Sequence, residues 1–582
     1  MRYYHASGTM RNKEIVDLLN RIADLLEIKG EIVFKLRAYR EAARQVEMLQ
    51  VPIEKLWEEG RLNTIPGFGE AIVKKVSEYL ETGKLNYLEE IKKEIPEGLA
   101  DLLEIPGFGP KGIKKVYETL GITTIEELKQ AALEGRIRTL PGFGERKEQA
   151  ILEGIKFLER KTGRALLPTA LSIFNSYKNH LIETLGLDHN IISEAGSLRR
   201  RLSTIGDIDI LVSSDDNERI IEYFVKAPWV QDVLAKGTTK ASIRDQSGIQ
   251  VDLRVIEPKS YGAALQYFTG SKAHNVKLRT LAVKRDWSIN EYALTDSTGK
   301  VIASKSEEEI YNALGLRFIP PELREDTGEI EAAAQNALPK LVSLSDIRGE
   351  VHCHSKWSDG HSSIEEMVKA AIDRGYEYIV ITDHSRSLGI AGGLDARGFS
   401  EQRIEIERIN ELYGDRIRVL QGAEVNILAE GELDLDLATL KSLDFVIASI
   451  HSSFTMSQEK MTARILKAIN TGMISALGHP TGRLLEKRDA ISFDFEKVFS
   501  AAANAGVALE INSQPERLDL APELARVAKG FGVKFIIGTD AHDPTQLQYM
   551  ELGVSQARKA WLEKEDIINC QSLDELLKLR LR

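Results

Sequence analysis

Seven short apolar runs between residues 346 and 582 each lead to a polar residue within the run or just after it. They are Val351 before His354, Tyr378–Ile381 before Asp383 and His384, Val419-Leu420 before Glu424, Phe445–Ile450 before His451, Ile474–Leu477 before His479, Val507–Ile511 around Glu510, and Lys534–Ile537 before Asp540 and His542. Amphipathic helical segments, such as residues 363–374 and 521–530, separate them. Seven strand–helix units with polar residues at the strand ends predict a TIM-like barrel whose active site gathers at that face.

Six of the 11 histidines lie at or just after these strand ends. A single histidine there would usually form a structural hydrogen bond. Six histidines together with three carboxylates form a mixed nitrogen and oxygen donor set, which suits two or three Zn²⁺, Mn²⁺ or Fe²⁺ ions. The candidate ligands are His352, His354, Asp359, His384, Glu424, His451, His479, Asp540 and His542. Such a cluster predicts metal-assisted hydrolysis.

A second acidic site is predicted near the middle of the chain. Asp207 and Asp209 alternate with isoleucines, and the period of two places both carboxylates on one face of a strand. Asp252 lies on another alternating strand, which we expect beside the first. Three carboxylates on neighbouring strands can hold two Mg²⁺ or Mn²⁺ ions, the arrangement that serves phosphoryl or nucleotidyl transfer.

A short loop before this strand has the composition of a phosphate cradle. Gly196 lets the backbone approach a ligand, the hydroxyl of Ser197 donates a hydrogen bond, and Arg200 supplies a planar positive fork. The simpler interpretation is a surface turn followed by an acidic strand end. The combination with Asp252 favours a catalytic site.

The N-terminal third contains one phrase three times: Ile65–Gly69, Ile105–Gly109 and Leu140–Gly144, each ending in Pro-Gly-Phe-Gly. Each copy leads into a helical pattern, which predicts a helix, a tight turn and a second helix. The turn would present free backbone N–H groups to a phosphate. A glycine-rich loop between packed helices explains a single copy, but three copies favour DNA binding without base recognition. The candidate residues are Gly67, Gly69, Gly107, Gly109, Gly142 and Gly144.

Composition limits the possible classes of protein. A chain of 582 residues is expected to form three or four domains. It has no apolar run of 18 residues and only two cysteines, so we expect no membrane span, no disulfide framework and a cytoplasmic location. The net charge of −11 is concentrated in residues 321–582. DNA contact elsewhere must therefore come from local patches and backbone amides.

The Gly-Ser pair, the spacer and the Asp-x-Asp strand resemble the nucleotidyltransferase superfamily, in the form found in family X DNA polymerases such as DNA polymerase beta. The resemblance implies that Asp207, Asp209 and Asp252 bind the two catalytic metals, and that Ser197 and Arg200 hold the outer phosphates of the incoming nucleotide. It extends to Tyr267–Ser271, Asn275 and Arg279. Tyr267 and Phe268 would select deoxyribose, Asn275 would contact the base edge and Arg279 would support the template. The implied nucleotide-binding set is Gly196, Ser197, Arg200, Gly206, Tyr267, Phe268, Gly270, Asn275 and Arg279.

The repeats resemble helix-hairpin-helix motifs, and residues around the first copy resemble the small N-terminal domain of polymerase beta. That resemblance implies a Schiff-base lysine at Lys75 and a phosphate-binding lysine at Lys35. The sequence itself identifies no neighbour that would lower the pKa of Lys75, as a Schiff-base amine requires. The C-terminal ligand set resembles the PHP (polymerase and histidinol phosphatase) domain, with all nine ligand positions filled. In this order, the parts resemble the bacterial and archaeal family X polymerases called PolX.

The expected fold class is multidomain α+β: a helical helix-hairpin-helix region, a polymerase beta-like nucleotidyltransferase palm and thumb, and a distorted (β/α)7 TIM-like PHP barrel. The expected boundaries are an N-terminal DNA-binding domain of residues 1–90, further hairpins over 91–164, a palm over 165–257, a thumb over 258–318, a linker over 319–345 and the PHP domain over 346–582.

The resemblance implies a monomeric DNA polymerase that fills short gaps in base excision repair. Its substrates would be gapped or primer–template DNA and deoxynucleoside triphosphates, with Mg²⁺ at the polymerase site. A Mn²⁺ or Zn²⁺ cluster in the PHP domain would carry a 3′–5′ exonuclease, with cleavage at abasic sites as a further activity. Three alternatives stay open: a small-molecule phosphomonoesterase in the barrel, modification of RNA ends by the core, and a non-catalytic repair scaffold.

Overall fold

The computed structural model describes residues 8–579 except 32, 48, 50–52, 97, 106, 161–162 and 387–391. Pro106, in the second copy of the repeat, therefore lies outside the described residues. The described chain forms two compact units that divide between residues 162 and 163. Across the described residues, every helix is too short or too polar to cross a membrane.

The first unit is helical in its described part. Its helices are α1 Gly8–Lys29, α2 Val33–Glu47, α3 Ile53–Glu58, α4 Glu70–Thr82, α5 Asn86–Glu94, α6 Pro110–Leu120, α7 Ile125–Leu133 and α8 Glu145–Arg160. Each repeat lies directly before α4, α6 or α8, as the sequence predicts. Ile65, Phe68, Ile105 and Phe108 are buried in the common core, so the apolar residues of the repeat anchor the turns.

The second unit begins with a mixed five-stranded sheet. The elements are β1 Ala165–Leu166, α9 Leu167–Leu185, β2 Ile192–Glu194, α10 Gly196–Arg199, β3 Thr204–Ile205, β4 Asp207–Ser213, α11 Asn217–Val225, β5 Val230–Lys236, β6 Lys240–Asp245 and β7 Gln250–Ile256. The strand order is β2-β4-β7-β6-β5, while β1 pairs separately with β3. β4 and β7 run parallel, which sets the carboxyl-bearing strands side by side.

A smaller helical region with a three-stranded sheet follows. Its elements are α12 Tyr261–Thr269, α13 Lys272–Val283, β8 Ser288–Ile289, β9 Leu294–Thr295, β10 Val301–Ala303, α14 Glu307–Ala313 and α15 Glu329–Ala334. The segment expected to be a linker is folded. Ile319, Leu323 and Ile330 join the core of this region, and the side chain of Arg324 is fully buried.

The rest of the chain alternates strands and helices: β11 Gly349–Cys353, α16 Ile364–Asp373, β12 Tyr378–Ile381, α17 Ala396–Tyr413, β13 Arg418–Asn426, α18 Leu437–Ser442, β14 Phe445–Ser449, α19 Gln458–Ile469, β15 Ala476–Leu477, α20 Phe495–Ala505, β16 Ala508–Asn512, α21 Pro522–Gly530, β17 Phe535–Gly538, α22 Met550–Lys559 and α23 Leu573–Leu579. The seven strands are parallel and follow chain order. Their continuous apolar runs are buried on both faces, as parallel strands require.

The first and last strands of this sheet approach each other. Cys353 forms a parallel bridge with Ala541, and the amide of His354 donates a hydrogen bond to the Ala541 carbonyl at 2.8 Å. The sheet is thus nearly closed into a barrel. The predicted fold class, including the distorted (β/α)7 barrel, is confirmed.

Candidate active sites

Two carboxylates of the five-stranded sheet lie opposite each other on neighbouring strands. In the register of β4 and β7, Asp209 pairs with Asp252 and Asp207 pairs with Gln250. Asp207 is exposed, Asp209 is partly buried and Asp252 is buried. Ile208, on the opposite face of β4, is fully buried. The alternation predicted from the sequence is confirmed, so Asp207 and Asp209 share one face.

The expected phosphate-binding loop is in direct contact with these carboxylates. Gly196 has a φ of +57°, and a Cβ atom at this position would overlap the carboxylate of Asp209. The amide of Ala195 donates a hydrogen bond to the main-chain carbonyl of Asp209 at 2.9 Å. Only glycine fits this close approach. The loop and the acidic strand therefore form one site.

The charges in this site are unevenly compensated. Burial, together with the charges of Asp207 and Asp252, raises the pKa of Asp209 to about 6. Burial would also raise the pKa of Asp252, but hydrogen bonds and the ammonium of Lys240 lower it. Gln250 Nε2 donates to Asp252 Oδ1 at 3.0 Å, and Lys240 Nζ lies 3.3 Å from Oδ2. Asp209 thus carries the repulsion that a divalent cation would relieve.

The arginine of the loop is directed towards the following helical region. Arg200 Nε donates to Glu325 Oε1 at 2.9 Å, and Nη1 donates to the carbonyl of Thr269 at 2.7 Å. Ser197 is partly buried in the short helix α10, next to Gly196. Gly206 lies between β3 and β4, where a Cβ atom would come within 2.9 Å of Arg164 Nη1.

The residues of the expected nucleotide pocket lie at the end of α12, in the turn after it and on α13. The rings of Tyr267 and Phe268 meet edge to face with centroids 5.2 Å apart, and the guanidinium carbon of Arg254 lies 4.4 Å from the Phe268 centroid. Asn275 Nδ2 donates to the carbonyl of Tyr267 at 2.7 Å. Arg279 is exposed on α13. Gly270 follows Thr269 with a φ of +70°.

In the barrel, the predicted ligands converge at one end of the strands. Three groups have ligand atoms that all lie within 4.8 Å of one another: His354, Asp359, His384 and His542; His352, His354, Glu424 and Asp540; and His384, Glu424 and His451. His479 lies outside these groups, but its Nε2 is 2.9 Å from Glu424 Oε1. All nine predicted ligands thus belong to one cluster. The three carboxylates Asp207, Asp209 and Asp252 form no group of this tightness among the described residues.

The donor atoms of the cluster suit metal ions. Four buried ring nitrogens have no hydrogen-bond partner: Nε2 of His352, and Nδ1 of His354, His384 and His479. An unpaired polar atom in a buried site is costly unless a ligand satisfies it. Neutral imidazole nitrogens and carboxylates at this spacing are the donors that Zn²⁺, Mn²⁺ and Fe²⁺ accept. The residues therefore fit a divalent metal cluster.

The electrostatics of the cluster combine ionised acids with histidines whose pKa values are shifted in opposite directions. Burial would raise the pKa of Glu424, yet the surrounding histidines hold it well below its ordinary value. Burial lowers the pKa of His384 to about 3, which keeps its ring neutral. Burial would lower the pKa of His542, but Asp359 and Asp540 raise it to about 9. Glu424 is thus ionised and His384 is neutral at physiological pH, whereas His542 carries a proton that a metal ion would have to displace.

The hairpin glycines have the geometry that the repeat predicts. Gly67, Gly107 and Gly142 have φ values of +80°, +77° and +81°. Gly69 and Gly109 are the N-cap residues of α4 and α6, and α8 begins directly after Gly144. A Cβ atom at any of Gly69, Gly107, Gly109, Gly142 or Gly144 would meet open space. These five positions are therefore not closely packed against other residues.

The structure supplies a neighbourhood for Lys75 that the sequence does not show. Partial burial, followed by the charge of Lys35, lowers the pKa of Lys75. Its ammonium lies 4.2 Å from the ring centroid of Tyr87, and that of Lys35 lies 6.0 Å from the same ring. The two candidate lysines thus share one aromatic neighbour.

Four family models match parts of the chain. They are a helix-hairpin-helix domain over residues 10–85, a SAM-like helix-hairpin-helix tandem over 99–156, a DNA polymerase beta thumb over 264–325 and a PHP domain over 350–514. The DNA polymerase/3′-5′ exonuclease PolX of Bacillus subtilis is 37% identical over 571 residues, which cover 97% of this chain and 99% of that protein. The chain belongs to the PolX family.

Other relatives match a smaller share of this PolX chain. A probable phosphatase of Photobacterium profundum is 35% identical over 204 residues, which cover 33% of this chain and 77% of that protein. A probable phosphatase of a Thermoanaerobacter species is 31% identical over 247 residues, which cover 40% of this chain and 95% of that protein. These relatives are therefore similar to only a third to two fifths of this PolX family member.

Two residues that support the barrel ligands of this PolX protein were not predicted from the sequence. Glu510 Oε1 lies 2.6 Å from His352 Nδ1, and Glu510 Oε2 accepts the amide of His479 at 2.6 Å. Asn426 Oδ1 lies 2.5 Å from His451 Nδ1. Glu510 was visible as a charged residue inside an apolar strand, which signals a paired partner. Asn426 had no signal of this kind.

Proposed function

We propose that this PolX family member is a DNA-directed DNA polymerase that also removes nucleotides from 3′ ends, with the two reactions at separate sites. The observation that carries the proposal is the presence of two acidic centres on one chain, one on β4 and β7 and one at the barrel end. The similarity to the Bacillus subtilis protein, whose name states both activities, supports it.

In the polymerase site, Asp207, Asp209 and Asp252 would hold two Mg²⁺ ions. Gly196 and Ser197 would receive the outer phosphates of a deoxynucleoside triphosphate through backbone and hydroxyl donors, and Arg200 would add a charge-assisted contact. The raised pKa of Asp209 and its contact with Gly196 support this assignment, because they place uncompensated negative charge beside the phosphate loop.

The thumb would bind the sugar and the template. Tyr267 and Phe268 would exclude a 2′-hydroxyl by steric overlap, and Gly270 would let the backbone bend away from the sugar. Asn275 would contact the base edge, and Arg279 would reach the template strand. Gly206 would complete the nucleotide-binding set at the start of β4.

In the barrel, the nine clustered ligands would hold two or three ions, for which we favour Mn²⁺ over Zn²⁺. Ions at the two sites would act as Lewis acids that stabilise negative charge on the phosphate oxygens, and they would lower the pKa of the attacking hydroxyl or water. Glu510 and Asn426 would orient His352 and His451 through the ring nitrogens that do not face the ions. Cleavage at abasic sites would use the same cluster.

The biological role that best fits these parts is gap filling in base excision repair, in the cytoplasm and as a monomer. Short-gap DNA would be held through its backbone by Lys35 and by the six glycines of the three hairpin turns, and the left-handed φ values of Gly67, Gly107 and Gly142 support the assignment. The domain division that fits this role follows the boundaries expected above, with residues 319–345 as a folded connection.

A lyase reaction at Lys75 is a further candidate. The amine must be neutral to attack the abasic sugar, and partial burial and Lys35 lower the pKa of Lys75 in that direction. Trapping with borohydride on DNA containing an abasic sugar phosphate tests it. A covalent adduct in the parent protein that disappears in Lys75→Ala supports the assignment, and an adduct that persists in Lys75→Ala excludes it.

Hydrolysis of small phosphate esters is the second candidate for the barrel, because relatives named probable phosphatases match 33% and 40% of the chain, which are lengths close to that of the barrel. The test for both candidates uses a labelled primer on one-nucleotide-gapped DNA, with Mg²⁺ or Mn²⁺ and with or without deoxynucleotides. The parent protein is compared with Asp207→Ala and with His352→Ala/His354→Ala.

Loss of extension in the first variant alone, and loss of primer shortening in the second alone, supports two independent sites. Shortening that persists without the two histidines overturns the exonuclease assignment. Turnover of a simple phosphate ester, together with inertness towards DNA, favours the phosphatase.

A further inference from the structure

The last long helix of the barrel packs against the phosphate loop of the polymerase site. Leu552 on α22 and Leu518 after β16 are buried in the same apolar core as Ile205 and Ile208 of the five-stranded sheet. The barrel and this sheet therefore share a packed core, and α22 lies at their junction.

Polar contacts from α22 reach two consecutive carbonyls of the loop. Lys559 Nζ donates to the carbonyl of Arg200 at 3.1 Å, and Gln556 Nε2 donates to the carbonyl of Arg201 at 3.3 Å. Arg201 has a φ of +57°, in the left-handed region that non-glycine residues rarely adopt. The barrel helix therefore stabilises a loop conformation that is unfavourable by itself.

A carboxylate connects the same lysine to the arginine side chain. Glu325 Oε1 accepts from Arg200 Nε at 2.9 Å and lies 3.4 Å from Lys559 Nζ. The side chain of Lys559 is only 8% exposed and that of Arg200 is 12% exposed. Two cations thus share one carboxylate in a largely buried place. Arg200 uses Nε for its hydrogen bond to Glu325 and Nη1 for its hydrogen bond to Thr269, so Nη2 takes part in neither bond.

We propose that Lys559, a residue of the barrel, positions Arg200 for the triphosphate of the incoming nucleotide. The inference rests on the proposed polymerase function. Lys559 holds the main chain of Arg200 at its carbonyl and holds the side chain through Glu325. The ammonium of Lys559 also pairs with Glu325, so the carboxylate of Glu325 does not fully neutralise the charge of the Arg200 guanidinium. The nucleotide site is consequently completed by a part of the chain that belongs to the nuclease barrel.

The expected consequence of losing Lys559 is a weaker nucleotide site with intact chemistry. Glu325 would then pair with Arg200 alone, and the loop would lose one of its two backbone contacts from α22. Preorganised charge-assisted contacts are lost when their supporting residue is removed. We expect the KM for the deoxynucleotide to rise about 5- to 20-fold, with a change in kcat of less than about threefold.

The test uses the full-length protein and single-nucleotide gap filling with Mg²⁺. Lys559→Met keeps the apolar stem and removes the charge, whereas Lys559→Arg keeps a donor and the charge. The matched control is Lys529→Met. Lys529 also belongs to the barrel and donates to the carbonyl of Trp561 at 2.9 Å and to Asp566 at 2.8 Å, and among the described residues it has no hydrogen bond or ion pair with Arg200, Arg201 or Glu325. Nucleotide KM, kcat and equilibrium binding of a non-hydrolysable deoxynucleotide are measured for each.

The proposal is supported if Lys559→Met raises KM and lowers the affinity for the analogue, while Lys559→Arg restores both. Lys529→Met should keep the values of the parent protein, and 3′ shortening should be unchanged in all variants. An unchanged KM in Lys559→Met overturns the proposal. So does an equal fall of kcat and of 3′ shortening, because a general loss of folding predicts that result. Arg200→Ala separates failure of the proposal for Lys559 from failure of the assignment of Arg200. If the KM of Arg200→Ala is also unchanged, the assignment of Arg200 to the triphosphate fails. Absence of nucleotide incorporation by the parent protein refutes the polymerase function itself.

Discussion

The charge on Asp209 is less favourable than that on Asp252 in the polymerase site. Burial and two neighbouring acids raise its pKa to about 6, whereas the pKa of Asp252 is lowered. Because the pKa of Asp209 in the folded state lies above its ordinary value, folding favours the protonated carboxyl. The contribution of this group to the free energy of unfolding is fully present below about pH 4 and is lost as the pH rises through about 6.

Asp209→Asn is therefore expected to raise the free energy of unfolding of the metal-free protein at pH 7 by about 1–3 kcal/mol, since the amide carries no charge to repel. Urea unfolding in EDTA at pH 4.5 and pH 7 measures the difference, which should be much smaller at pH 4.5. Asp232→Asn, on the exposed edge strand β5, serves as the control. A gain that is equal at both pH values would contradict the assigned cause.

Glu510 is the residue whose removal should weaken the barrel cluster without removing a ligand. It contacts the ring nitrogen of His352 that does not face the other ligands, and it also accepts the amide of His479. Glu510→Gln is expected to lower Mn²⁺ affinity about 10- to 100-fold, because the carboxylate fixes the imidazole tautomer and raises its basicity. Calorimetric titration with Mn²⁺ measures the change, and Glu365→Gln on the outer helix α16 should leave the affinity unchanged.

At the scale of elements, the hairpin turns allow a comparison within one helix. Gly107 precedes α6 and Gly121 ends it, both have φ values near +70° and an added Cβ would meet open space at either. Alanine at either position should cost about 1 kcal/mol of stability, because L-residues resist this conformation. Only Gly107→Ala is expected to weaken binding to gapped DNA, by about 3- to 10-fold, since its turn presents the amides to a phosphate.

Fluorescence anisotropy with labelled gapped DNA at several salt concentrations distinguishes the two variants. Equal losses of affinity in Gly107→Ala and Gly121→Ala would show that general destabilisation explains the effect, and that the turn itself makes no DNA contact.

Elements with a strong local signal were predictable from the sequence. The apolar runs gave the seven strands of the barrel, and the alternation around Asp207 gave β4 and the face of its carboxylates. The barrel ligands were predictable because strand ends of a parallel barrel meet at one face. Lys559 was not predictable: more than 350 residues separate it from Arg200, and an exposed lysine near a helix end has the same local pattern. Lys240 reaches Asp252 only through the pairing of β6 with β7, which local periodicity does not fix.

At the scale of the whole molecule, metal binding should stabilise the two compact units differently. The nine clustered ligands all belong to the unit that begins at residue 163, whereas the described residues of the helical unit contain no comparable group of three ligands. A ligand that binds only the folded state adds about 3 kcal/mol at a hundredfold excess over its dissociation constant. Mn²⁺ should therefore raise the melting temperature of the larger unit and leave that of the helical unit unchanged.

Differential scanning calorimetry with EDTA or Mn²⁺ measures this. The double variant His352→Ala/His354→Ala should lose most of the shift, because it removes two ligands of the group that also contains Glu424 and Asp540. Asp207→Ala should keep most of the shift, because the barrel cluster remains complete. A shift of equal size in both variants would mean that Mn²⁺ stabilises the protein elsewhere. The outcome matters for the coupling through Lys559: because α22 joins the barrel to the phosphate loop, stabilisation by barrel metals should extend to the polymerase sheet, and both should unfold in one metal-dependent transition.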